Sequence, residues 1–171
     1  MGVREIASGA GVTAMLINRY FGSKEQLFAA VVADTLARPV ILTEANIRAP
    51  ERGATMAKAL VDLTAPGATP LDGFLVMFHS ASSQTANEIN RDQIQQHHFR
   101  TMFESLKGDL APERAALALA MVAGVQVMRQ MIGLPALTRA DPNDLVDLLA
   151  PLFQALIDGE PPAGTTPRND A

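Results

Sequence analysis

Apolar residues in this chain return at intervals of three and four, and alternating runs of β-branched residues are absent. That spacing gathers side chains onto one face of a helix but scatters them across both faces of a strand. Ala, Leu and Met, all good helix formers, dominate the stretches between Pro and Gly. The chain is therefore read as all-α. Its 171 residues are 48% hydrophobic, enough for one core, or one core with a small appended lobe. Charged residues make up 19%, below the usual ~25%, which argues against wholesale disorder.

Pro, Gly and capping residues divide the pattern into about eight expected helices. They cover Val3 to Ala10, Ala14 to Tyr20, Ser23 to Arg38, Glu51 to Leu63, Leu71 to Ser83, Glu88 to Leu106, Pro112 to Ile132, and the stretch from Asp141 to before Gly159. The third ends at Pro39, with a continuation towards Asn46. Ser23 and Gln26 read as a capping box, each side chain serving the other residue's backbone N–H. Pro142 suits the first turn of the last helix. Pro151 lies inside that helix, where an interior proline costs ~3 kcal/mol, so a kink held by packing is expected. Residues 161–171, rich in Pro, Gly and Thr, read as a flexible tail.

Several classes of chemistry find no support. There is no Cys, hence no disulfide framework and no thiolate metal site. His79, His97 and His98 form no metal-ligand spacing, and adjacent histidines on a helix point about 100° apart. No nucleophile elbow or phosphate-binding Gly-rich loop occurs, so neither an enzyme nor a cofactor is expected. The apolar stretch Ala115 to Met128 falls short of the ~20 residues that span a bilayer. With no signal pattern at the start, the expectation is a soluble, cytoplasmic protein with no membrane partner. The net charge of −4 excludes a uniformly basic surface, but not a small basic face.

The first thirty residues carry the most information. Val3 to Ala10, the turn Gly11-Val12-Thr13, and Ala14 to Tyr20 read as two short helices crossing at a tight corner. Gly11 suits the sharp turn and Thr13 is placed to cap the second helix. Ile6, Val12, Ile17 and Phe21 are expected inside the corner, with Ala14, Met15, Asn18, Arg19 and Tyr20 facing outward. A helix-turn-helix inserts its second helix into the major groove of DNA. Residues 1–24 hold Arg4, Arg19 and Lys24 against Glu5, a net of +2.

The stretch VREIASGAGVTAMLINRYFGSKEQLFAAV resembles the DNA-binding segment of TetR-type transcriptional regulators. The matching elements are Arg4-Glu5-Ile6-Ala7, Ala10-Gly11-Val12-Thr13, Tyr20 through Glu25, and Leu27. Asn-Arg-Tyr-Phe before Gly-Ser-Lys, and the closing ADPNDLVDLLAPLFQALIDG, are similar to an actinobacterial-looking group of the family. The resemblance implies that Arg4 reaches a base edge and that Thr13 and Lys24 touch phosphates. It places Ala14 and Met15 at the tip of the recognition helix, able to contact a thymine methyl or to leave room for bases. It puts Asn18 where most members have Tyr, able to pair with adenine, and Tyr20 where many have His, able to donate to a phosphate. Gly2 stands where Thr is usual, removing one cap. The family also has a helix before this point. The chain starts at the second, so the head is expected to be incomplete, with less cover for Ile6 and Phe21.

The expected organisation is a truncated DNA-binding region and linker helix over 1–36, a helical effector-binding and dimerisation domain over 37–160, and the tail. The apolar faces of the last two helices exceed what one chain's core needs, and the family pairs through these two helices, so a homodimer is expected. The Met and Phe residues of the body are core first. Phe74, Phe78, Met102, Met121 and Met128 are the candidates for an effector pocket. The implied function is a regulator released from a palindromic operator by a small molecule. The alternative is a ligand- or protein-binding helical dimer that no longer binds DNA.

Overall fold

The computed structural model describes residues 2–37, 41–68, 72–80 and 83–159, without the side chains of 72–75. Pro39, Leu71 and the tail therefore lie outside the described residues. Every regular element among the described residues is helical: α1 (Val3–Gly9), α2 (Ala14–Phe21), α3 (Lys24–Leu36), α4 (Glu44–Arg48), α5 (Arg52–Leu63), α6 (Asp72–His79), α7 (Gln84–Ile94), α8 (Arg100–Glu104), α9 (Ala111–Gln126), α10 (Pro135–Thr138) and α11 (Pro142–Asp158). The all-α expectation holds.

Two of the expected helices are less uniform than the sequence pattern suggests. The Glu88 to Leu106 helix begins earlier, at Gln84, because the Ser83 hydroxyl accepts from the Ala86 N–H at 3.4 Å. A π-helical turn over Gln95–Phe99 follows α7, and a second over Val127–Met131 follows α9. Such turns insert one extra residue and re-aim the side chains beyond it. The capping box at α3 is half formed. The Ser23 hydroxyl accepts from the Gln26 N–H at 3.1 Å, while the Ser23 N–H donates to the Phe21 carbonyl. The expected continuation towards Asn46 is a separate short helix, α4, capped by Thr43.

The chain divides into two compact units. One comprises α1–α3 with α6 and α7; the other holds α4, α5 and α8–α11. In the first, Val32, Leu36 and Met77 form the buried cluster, with Phe28 and Ile94 packed against it. In the second, Met56, Leu60, Met102 and Phe153 are wholly buried within a larger cluster. Each such side chain contributes ~1.5–3 kcal/mol. The main contact of this unit is α5 against α11. Gly53 permits it: a Cβ there would lie 2.6 Å from the Ala150 carbonyl oxygen. The Gly53 N–H donates to Gln154 Oε1 at 2.9 Å. Pro151 is exposed and α11 runs through it unbroken.

Two buried arginines close the ends of these helices without any carboxylate. Arg114 donates from Nη1 to the Leu156 and Ile157 carbonyls, at 3.0 and 3.1 Å, at the end of α11. Its other nitrogens serve the carbonyls of Asp109 and Lys107. Arg129 donates to the Val61 carbonyl at 2.7 Å and to Thr64 Oγ1 at 2.9 Å, at the end of α5. A helix C-terminus carries partial negative charge and spare acceptors, so a guanidinium fits it. Burial pushes Arg129 below its ordinary pKa.

Candidate nucleic-acid interface

The corner between α1 and α2 is built from a few residues. Gly11 adopts φ +67°, a left-handed conformation that costs other residue types about 1 kcal/mol or more. The Val12 N–H then returns to the Ala7 carbonyl at 2.9 Å. Thr13 caps α2: its hydroxyl accepts from the Leu16 N–H at 3.3 Å. At the start of α1, Gly2 has no side chain to cap with, although its N–H donates to Glu5.

Packing inside the corner is narrower than expected. Ala7 and Ile17 are buried, and Ile6 is half-buried. Val12 and Phe21 stay 37% and 38% exposed. Two helices of seven and eight residues share only a small contact, which Ala7 and Ile17 fill. Val12 and Phe21 are left at its margin.

The outward residues form a coherent face. Met15 is 80% exposed and Tyr20 75%, and Asn18 and Arg19 are also exposed. Ala14 is half-buried. At about 100° per residue, Ala14, Met15, Asn18 and Arg19 fall within roughly 140° of arc, and Ile17 lies outside it, about 60° beyond Ala14. Tyr20 lies at least about 100° from each of these residues, on the other side of the helix. Arg4, Thr13 and Lys24 are exposed as well. Arg4, Arg19 and Lys24 form no ion pair among the described residues. A short rod therefore offers a methionine, an amide and a guanidinium on one face. Uncompensated cations and a phenol lie around it. These are the groups that touch base edges and phosphates.

Comparison with known proteins agrees. The family model described as bacterial regulatory proteins, tetR family, matches residues 1–31. The model described as tetracyclin repressor-like, C-terminal domain, matches residues 50–157. The chain belongs to the TetR family of transcriptional regulators. Among solved structures, a TetR-family regulator from Streptomyces coelicolor A3 shares its fold. That match has a TM-score of 0.54 and 19% identity, over 90% of this chain and 81% of that one. No curated protein matches the chain. Membership makes it a DNA-binding regulator with a helix-turn-helix.

The residues considered for an effector pocket belong to both units. Met102 is fully buried in the core of the second unit, and Met121 packs against that core. Met128 is 46% exposed in the same unit, and Phe78 is 48% exposed in the first. The side chain of Phe74 lies outside the described residues. No group of three or more His, Asp or Glu side chains able to hold a metal occurs among the described residues. No described helix is long and apolar enough to cross a membrane.

Proposed function

We propose that this TetR-family regulator acts as a homodimeric repressor whose two α2 helices read a pseudo-palindromic operator, and that a small molecule releases it. The observation that carries this reading is the outward face of α2, with Met15 80% exposed and no internal partner for Arg19. Symmetric dimers of helix-turn-helix proteins place their recognition helices about 34–36 Å apart, one turn of DNA. Met15 and Ala14 meet thymine methyl groups, Asn18 pairs with adenine, and Arg4 reaches a guanine edge. Thr13, Lys24 and Tyr20 hold phosphates and fix the register.

The second unit supports pairing through α9 and α11. Leu117 is 57% exposed, Leu148 68% and Leu152 47%. Leu148 and Leu152 stand one helical turn apart on α11, so they form a stripe rather than isolated contacts. An effector that binds a state with the wrong head spacing weakens DNA binding by its differential affinity for the two states.

The test is fluorescence anisotropy with the DNA upstream of the protein's own reading frame. Binding at low salt is expected, with log K falling linearly with log[salt]. Absence of binding at low salt contradicts the reading and leaves a helical dimer without DNA affinity.

A further inference from the structure

Met15 is the most exposed methionine among the described residues, at 80%. Met128 follows at 46%, Met121 and Met131 are half-buried, and Met56, Met77 and Met102 are buried. Met15 belongs to neither buried cluster, and Ile17 rather than Met15 anchors α2 in its corner. A reagent dissolved in water therefore meets this sulfur before the others. The chain contains no Cys, so no thiol competes for an oxidant, and thioethers are its only sulfur.

Position gives that sulfur a consequence. Around the axis of α2, Met15 lies between Asn18 and Arg19, inside the outward face. Oxidation turns a flexible apolar side chain into a polar, chiral sulfoxide. The S=O oxygen only accepts hydrogen bonds. A thymine edge offers a methyl group beside the O4 acceptor. A thioether suits the methyl, whereas a sulfoxide oxygen keeps its water and is repelled by O4 and by nearby phosphates. Oxidation of a buried methionine breaks a core. At Met15 the same chemistry changes the reading face and leaves the packing alone.

We infer that Met15 is a reversible oxidation site, and that its conversion to the sulfoxide by a hypohalous acid lowers DNA affinity. The inference goes beyond the function proposed above and rests on α2 as the helix that reads DNA. Net, an S–O bond forms and the O–Cl bond of hypochlorous acid breaks. Sulfur gives up two electrons, chlorine takes them and leaves as chloride, and the hydroxyl proton passes to water. Methionine sulfoxide reductases reverse the change with a dithiol as reductant, which becomes a disulfide as the oxygen leaves as water.

The experiment treats the full chain, without DNA, with hypochlorite in small sub-stoichiometric steps. Peptide mass spectrometry follows each methionine, and anisotropy with the DNA upstream of the reading frame follows binding. Met15 is expected to gain an oxygen before Met128 and before every other methionine of the body. DNA affinity is expected to fall about tenfold or more as Met15 sulfoxide accumulates, while the urea midpoint stays fixed. Treatment with both sulfoxide reductases, one for each epimer, should restore binding. Met15→Leu, compared with its own untreated affinity, is expected to show no loss over the same steps. Oxidation of Met15 no earlier than Met128 overturns the inference. So does unchanged affinity once Met15 is oxidised, a loss that the reductases do not reverse, or an equal loss in Met15→Leu. Failure of the DNA-reading function itself shows in the untreated chain, before any oxidant is added, so the two failures are told apart.

Discussion

Lys24 and Arg114 are both cationic, and the structure gives them opposite tasks. Lys24 is exposed at the start of α3 with no ion pair, so its charge is free for a phosphate. Lys24→Ala is expected to weaken binding to every DNA sequence alike and to reduce the salt slope by about one. Anisotropy titrations across a salt series check this. Arg114 is 7% exposed and satisfies four backbone carbonyls. Arg114→Met leaves the end of α11 without donors and is expected to cost about 2–3 kcal/mol, read from urea unfolding. Arg114→Lys recovers little of it, since an ammonium cannot reproduce the planar fork. Nothing in the residue pattern hints at this division. A lone Arg amid Ala and Leu looks the same whether it snorkels to solvent or turns inward, and only the carbonyls of a distant helix decide. Met15, Asn18, Arg19 and Tyr20 were legible because they follow from one helix and one buried residue, Ile17.

At the level of elements, the helices were legible wherever a local signal marks their ends. Thr13 caps α2, Asp141 caps α11 with Pro142 behind it, and Pro66-Gly67 follows α5. The π-helical turns after α7 and α9 were not, because nothing in Gln95–Phe99 or Val127–Met131 distinguishes an extra residue from an ordinary turn. What each helix packs against was equally hidden. Periodicity says that α7 has an inner side, but not that Asn90 Oδ1 and Gln93 Oε1 are buried there without hydrogen-bond partners. Gly53 is a further case: inside a helix it looks like a weak point, yet it lets α5 approach α11. Gly53→Ala improves local helix propensity by about 1 kcal/mol but drives a Cβ into backbone. A net loss of about 1–3 kcal/mol is expected by thermal or urea denaturation. A stabilised variant would show that the contact is looser than described.

For the whole molecule, a sequence with a net charge of −4 and a basic tip of +2 reads as a regulator that touches DNA at one small place. A few phosphate contacts per head give modest affinity, so pairing matters. Leu148→Glu places a charge on the exposed stripe of α11 and is expected to yield monomers in sedimentation velocity. Operator affinity should then fall by at least about a hundredfold through loss of the second head. An unchanged dimer would move the interface off α11. The most direct measurement of the central claim is a footprint of the protein on its own upstream DNA. The account expects two protected half-sites related by a dyad, centred about 10 base pairs or a multiple of that apart. Replacing thymine by uracil, which lacks the methyl group, should weaken binding at the positions Met15 covers, and Met15→Ala should remove that sensitivity. A single protected patch, or affinity indifferent to both changes, contradicts it.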